Sequence, residues 1–192
     1  MVNIFLVKHR VEDALLLIEQ SGSELKGEDK GKLYILVAQK SYEYGDFDTA
    51  LYSYQLAEEL SNDKKIPLGE AKIYLQEGEV EKARRLLNSK HDGENVIESR
   101  LILSYTQALS DTNQAKETIS EIEPGDNWRN DYSKWQDVLN SLTEDQLYNA
   151  AKLAKLYIDV GYPYLAVSVL EPLKDQMSEY TDGQYLLGKA YH

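Results

Sequence analysis

Residues 153–170 read LAKLYIDVGYPYLAVSVL. Leu153, Ala154 and Tyr157 recur at the steps of three and four that place side chains on one face of an α-helix. Gly161 then interrupts the run with the residue for which a left-handed backbone costs least. Ala166 and Leu170 resume the helical step. The stretch reads as two helices joined by a tight turn. Each carries a small residue, Ala154 or Ala166, where the other must come close.

The same pattern recurs outward from this stretch. Ala followed four residues later by a large apolar side chain appears at Ala14/Ile18, Ala50/Tyr54, Ala83/Leu87, Ala115/Ile119 and Ala166/Leu170. The Ala-to-Ala steps are 36, 33, 32 and 51 residues. The first-helix half appears as Tyr34-x-x-Val37-Ala38, Glu70-Ala71-x-x-Tyr74, Leu101-Ile102-x-x-Tyr105 and Gln184-x-x-Leu187-Gly188-x-x-Tyr191. Gly45 and Gly78 stand where Gly161 does. A helix pair of this kind cannot bury its apolar stripe alone, so neighbouring pairs must stack.

With these residues in view, the chain resembles the tetratricopeptide repeat family, whose pattern is W-x2-L-G-x2-Y, then A-x3-F, then P. Tyr34, Pro67, Glu98, Ala150 and Gln184 replace the leading Trp, and the closing Pro is mostly missing. The resemblance covers nearly the whole chain. It implies an all-α fold, a right-handed superhelix of antiparallel helix pairs forming one solenoid domain over residues 1–192, with about five repeats. A different α-solenoid is the nearest competing reading, and an irregular helical bundle is the other.

Periodicity predicts helices at 11–21, 31–44, 47–60, 64–77, 80–89, 94–109, 112–122, 129–141, 144–160, 163–176 and 182–192. Thr143 with Gln146, and Thr181 with Gln184, have capping-box spacing. Gly22–Gly31 reads as a long loop, which accounts for the step of 36. The step of 51 contains an extra helix near 128–142, in which Trp128, Tyr132, Trp135, Leu139 and Leu142 form an apolar stripe. It reads as packing its aromatics into the stack, or as bending the superhelix or presenting a docking surface.

Both ends read as incomplete repeats. Val2 and Phe5 take core positions of a first helix, and Tyr191-His192 stop at the close of another. Leu186, Leu187, Ala190 and Tyr191 are expected to leave an apolar face open to self-association. The sequence therefore reads as a fragment of a longer chain, or as a chain whose ends another subunit covers.

Composition narrows the function. A net charge of −12 repels a phosphate backbone, which argues against general nucleic-acid binding. No Cys is present, so no disulfide or Cys-ligated metal site can form. That fits a reducing compartment and a cytoplasmic reading. The longest apolar runs, such as Leu15–Ile18, are far too short to span a bilayer. His9, His91 and His192 are far apart and read as surface residues. No catalytic, phosphate-binding or Ca²⁺-loop motif occurs, so the reading is a non-enzyme without metal or cofactor. Asp46, Asp48, Glu79, Glu81 and Asp111 begin helices, where a carboxylate complements the helix dipole.

The family resemblance implies a concave groove lined by the first helix of each pair and open to a protein or peptide partner. The faces offset from the core stripe read Lys32, Ile35, Gln39, Tyr42; Lys65, Leu68, Lys72, Leu75; Tyr148, Ala151, Lys155, Ile158; and Asp182, Tyr185, Lys189, His192. Spacings of three, four and three put each set on one face. Five Lys against one Asp point to an acidic or C-terminal peptide, with Tyr42, Leu75 and Tyr185 giving apolar contact. Tyr148 is placed to line the same groove. Tyr74, Tyr105, Tyr157 and Tyr191 read as core. Ile35, Gln39 and Gly69 stand where some family members hold a carboxylate clamp, so a chaperone-tail receptor is not expected. The alternatives are a spacer or oligomerisation segment, and a regulator whose catalytic part lies elsewhere.

Overall fold

The computed structural model describes residues 2–22, 24–88, 94–176 and 181–192, and of Glu94 and Thr181 only the backbone. Among the described residues the protein is all-α, without a strand. The helices are α1 (Val2–Val7), α2 (Val11–Gln20), α3 (Gly27–Glu43), α4 (Phe47–Glu58), α5 (Lys65–Gln76), α6 (Val80–Leu87), α7 (Glu94–Gln107), α8 (Thr112–Ser120), α9 (Arg129–Ser141), α10 (Gln146–Asp159), α11 (Pro163–Leu170) and α12 (Thr181–Ala190). They form two compact units, Met1–Ile73 and Tyr74–His192.

The pairing rule holds at the level of single residues. Ala14, Ala38, Ala50, Ala71, Ala83, Ala115, Ala154 and Ala166 are all fully buried. Gly45, Gly78 and Gly161 all have positive φ. At each, the next N–H bonds back to a first-helix carbonyl: Asp46 N to Ser41 O, Glu79 N to Tyr74 O and Tyr162 N to Tyr157 O, at 2.8–2.9 Å. A left-handed residue followed by this long backward bond satisfies the orphan carbonyls of a helix end. The residue after the Gly also opens the second helix. His9 occupies the same left-handed place between α1 and α2, with φ 56°, and Arg10 N bonds to Phe5 O at 2.9 Å.

One turn departs from the rule. Twelve residues separate Ala38 from Ala50, Ala71 from Ala83 and Ala154 from Ala166, but 13 separate Ile102 from Ala115. The extra residue removes the need for a left-handed turn, and none occurs between α7 and α8. Asp111 N instead bonds to Gln107 O, and the Arg84 guanidinium donates to Thr106 O at 2.7 Å. Arginine thus covers a helix end that the backbone leaves open.

In the first unit, α1 packs on α2, α2 on α3 and α3 on α4. The expected loop at Gly22–Gly31 is shorter than its sequence suggests, because α3 begins at Gly27. Glu28 and Asp29 in its first turn favour that start, and Glu28 pairs with Lys32 one turn on. A Cβ at Gly31 would lie 3.1 Å from Ser61 Cβ, so glycine permits a close approach there. In α1 the buried residues are Val2 and Leu6, while Phe5 is half-buried beneath the Arg10 guanidinium.

In the second unit, α7 packs on α6 and α8, α9 on α8 and α10, and α12 on α10 and α11. Helix α9 spans the expected 129–141, and its stripe faces inward: Trp135 and Leu139 are buried, Trp128, Tyr132 and Leu142 half-buried. Helix α11 stops at Leu170, short of 176, because Pro172 turns the chain into a 3₁₀ segment. Asp145, not Thr143, caps α10, accepting from Leu147 N and Tyr148 N. Thr143 instead accepts from Asp145 N and exchanges bonds with Asn149. The Thr181 side chain and His91 lie outside the described residues.

Candidate functional site

The second unit is organised by aromatic rings. The Tyr105 ring meets Trp135 edge-on at 4.9 Å, and Tyr157 and Tyr162 at 6.3 Å each. Two polar tips of this cluster find partners. Trp135 Nε1 donates to Ser104 Oγ at 2.7 Å, and Tyr157 OH donates to Tyr105 O at 2.9 Å. Burial pushes both phenols, Tyr105 and Tyr157, far above the usual tyrosine range. These rings are structural, as their positions in the repeat predict. Tyr74 is half-buried, and Tyr191, at 63% exposed, departs from its reading as core and agrees with the open face expected of the last helix.

The residues proposed for the groove divide into three groups. Leu75 is fully buried, and so are its companions Ile35 and Leu68. Leu75 is therefore a core residue and not a contact for a partner, and so is Leu68 on the same face of α5. Lys32, Gln39 and Lys65 are exposed, and Tyr42 and Lys72 are half-buried. Lys32 is engaged by Glu28 at 2.8 Å, which raises the ammonium pKa through that hydrogen bond. Tyr42 lies against the Phe47 ring at 5.6 Å, and Tyr148 beneath Lys152 Nζ.

The third group comes together. Lys155, Ile158 and Asp159 on α10 and Asp182, Tyr185, Leu186 and Lys189 on α12 line one open cleft of about 360 Å³. Packing of α12 against α10 and α11 builds this cleft. Tyr185 is 69% exposed, the most exposed aromatic side chain among the described residues. Neither Lys155 nor Lys189 has an ion-pair partner among the described residues. By contrast Lys40, Lys82, Arg84 and Lys174 each hold a nearby carboxylate. Asp182 was expected on this face and Asp159 was not; together they balance the two lysines, so the cleft is mixed in charge.

The first-helix face of α7 is closed. Every residue from Leu101 to Ala108 is buried, including Ser104, Thr106 and Gln107. A helix covered on all sides offers no surface to a partner. The sequence hinted at this, since α7 carries no lysine at the positions of Lys72 and Lys155.

The described residues contain no group of three or more metal-ligating side chains and no helix long and apolar enough to cross a membrane. No family model matches the chain, and neither a curated protein nor a solved structure matches it.

Proposed function

We propose that this chain is a tetratricopeptide-like interaction module that holds an extended, acidic segment of a protein partner in the cleft between α10 and α12. One observation carries the reading. Lys155 and Lys189, which form no ion pair among the described residues, line one cleft with a largely exposed Tyr185, beside Asp159 and Asp182. An exposed aromatic gives area at small entropic cost, and the lysines give charge that a partner carboxylate can neutralise. Ile158 and Leu186 supply apolar lining for an aliphatic side chain. The helix-pair pattern supports the family reading, and the buried alanines and left-handed turns support it further. The other first-helix lysines serve solubility in this account.

Selection of displayed random peptides on the purified chain tests it. Enrichment of Asp/Glu-rich sequences containing an aliphatic residue is expected. Those peptides are expected to lose binding to Lys155→Glu/Lys189→Glu. No enrichment, or peptides that bind that variant equally well, would overturn the reading.

A further inference from the structure

The α10–α12 cleft sets three demands on what fills it. Lys155 and Lys189 call for carboxylates, Ile158, Tyr185 and Leu186 for an aliphatic side chain, and Asp159 and Asp182 for some positive charge. The chain itself displays such a segment. Residues 58–64 read EELSNDK and run from the last residue of α4 through the loop that leads to α5.

The large aliphatic side chains exposed among the described residues are Ile4, Val7, Leu16 and Leu60. Ile4 and Val7 lie in α1, just before the cations Lys8 and Arg10. Leu16 lies within α2, between Leu15 and Leu17. Leu60 differs: it is 39% exposed, sits in a loop and directly follows two carboxylates. Glu58 and Glu59 are exposed and form no ion pair among the described residues. Lys32 lines the same acidic cleft as these two, but Glu28 holds it at 2.8 Å. Lys64, also exposed, closes the segment with the opposite charge.

The loop is set in shape. Leu60 N donates to Ala57 O at 3.1 Å, Ser61 Oγ accepts from Asp63 N at 3.1 Å, and Asp63 Oδ1 accepts from Lys65 N at 2.9 Å. A segment held before it binds loses less freedom on binding.

We propose, resting on the acidic-segment reading of the α10–α12 cleft, that its partner is the α4–α5 loop of a second copy of this chain. Glu58 and Glu59 neutralise Lys155 and Lys189, Lys64 meets the two aspartates, and Leu60 enters among the apolar lining residues. Two different patches meet, so the contact is head-to-tail. Each added copy leaves a free loop at one end and a free cleft at the other, and association runs on beyond a dimer.

Sedimentation velocity on the full chain, over a concentration series at about 0.05 and about 0.5 M salt, tests this. The average mass is expected to rise with concentration at low salt and to fall back toward the monomer at high salt. Lys155→Glu/Lys189→Glu reverses the cleft, and Glu58→Lys/Glu59→Lys reverses the loop. Each is expected to weaken self-association by at least about tenfold. All four positions are exposed, so neither variant disturbs a core. Both reversals in one chain are expected to restore association, since a reversed loop then meets a reversed cleft. A chain that stays monomeric throughout, association unchanged by either reversal, or no restoration in the combined variant would overturn the second copy as partner. A labelled peptide alternating Glu and Leu, titrated in parallel, separates the two readings. If it binds the cleft of a chain that stays monomeric, the cleft reading stands and the second copy is overturned. If it does not bind and the chain stays monomeric, both are overturned.

Discussion

The α3–α4 pair and the α7–α8 pair are written in one pattern of small and aromatic residues, yet their first helices meet different surroundings. Helix α3 keeps an exposed face at Lys32, Gln39 and Glu43, and its turn relies on left-handed Gly45. Helix α7 is buried on every side from Leu101 to Ala108, and its turn relies on one extra residue and on Arg84. Helix α9 adds to that covering: it contributes Trp135 to the ring cluster between α7 and α10. Local spacing decides which helices pair; inserted segments decide which faces the pairs leave open.

The largest expected effect falls on that insertion. Trp135→Ala removes the ring on which Tyr105 and Tyr157 pack and takes away the indole N–H that Ser104 Oγ accepts. It is expected to cost about 3–5 kcal/mol. Denaturant unfolding followed by amide exchange should place the loss in residues 94–170 and spare α3 and α4. A uniform loss across the chain would break the contrast drawn here.

A close approach in the first unit gives the next effect. A Cβ on Gly69 would sit 2.2 Å from Tyr54 Cζ, so the ring must be displaced. Gly69→Ala is expected to cost about 3 kcal/mol in chemical denaturation. A change below about 0.5 kcal/mol would mean that the packing of α5 on Tyr54 is looser than described.

Glu70 gives a pH-dependent effect of about 3 kcal/mol. Its side chain is only 8% exposed, and burial, with the Glu58 charge adding to it, pushes its carboxyl up to about 7 from 4.5. Between those values the unfolded chain releases the proton while the folded chain keeps it. Stability therefore falls as pH rises through this window and levels off above it. Glu70→Gln is expected to stabilise the protein at pH above about 8 and to change little near pH 4. Equal stabilisation at both ends of a pH series of melting temperatures would contradict this assignment.

The smallest effect distinguishes the two turns. Gly45→Ala forces a Cβ into a left-handed backbone and is expected to cost about 1 kcal/mol. Ser110→Ala lies in the turn that has no left-handed residue and is expected to cost less than about 0.5 kcal/mol. Equal costs in thermal melts would mean that the extra residue at the α7–α8 turn does not relieve the backbone.

The helix pairs were legible because each rests on a short spacing: Ala154 to Ala166 with Gly161 between, repeated at Ala38 and Ala71. Helix α9 was legible from the Trp135–Leu139 stripe. What the spacing could not give was the environment of a face. Leu75 and Lys72 lie on one face at helical spacing, yet Leu75 is buried and Lys72 only half-buried. Gly188 has the repeat's small-residue position, but space around it is open. The Lys155–Tyr185–Lys189 arrangement was readable because both helices carry the same offset. Of its acidic members Asp182 was on the predicted face, but Asp159 was missed because it falls one residue off the chosen stripe.

The central claim is that the α10–α12 cleft holds an acidic extended segment. Nuclear magnetic resonance titration with a synthetic peptide of about eight residues alternating Glu and Leu tests it most directly. The account predicts shifts concentrated at Lys155, Ile158, Tyr185, Leu186 and Lys189, which weaken as salt rises from about 0.05 to about 0.5 M and vanish in Lys155→Glu/Lys189→Glu. Shifts of equal size on α3 or α9, or binding that persists unchanged in that variant, would contradict it.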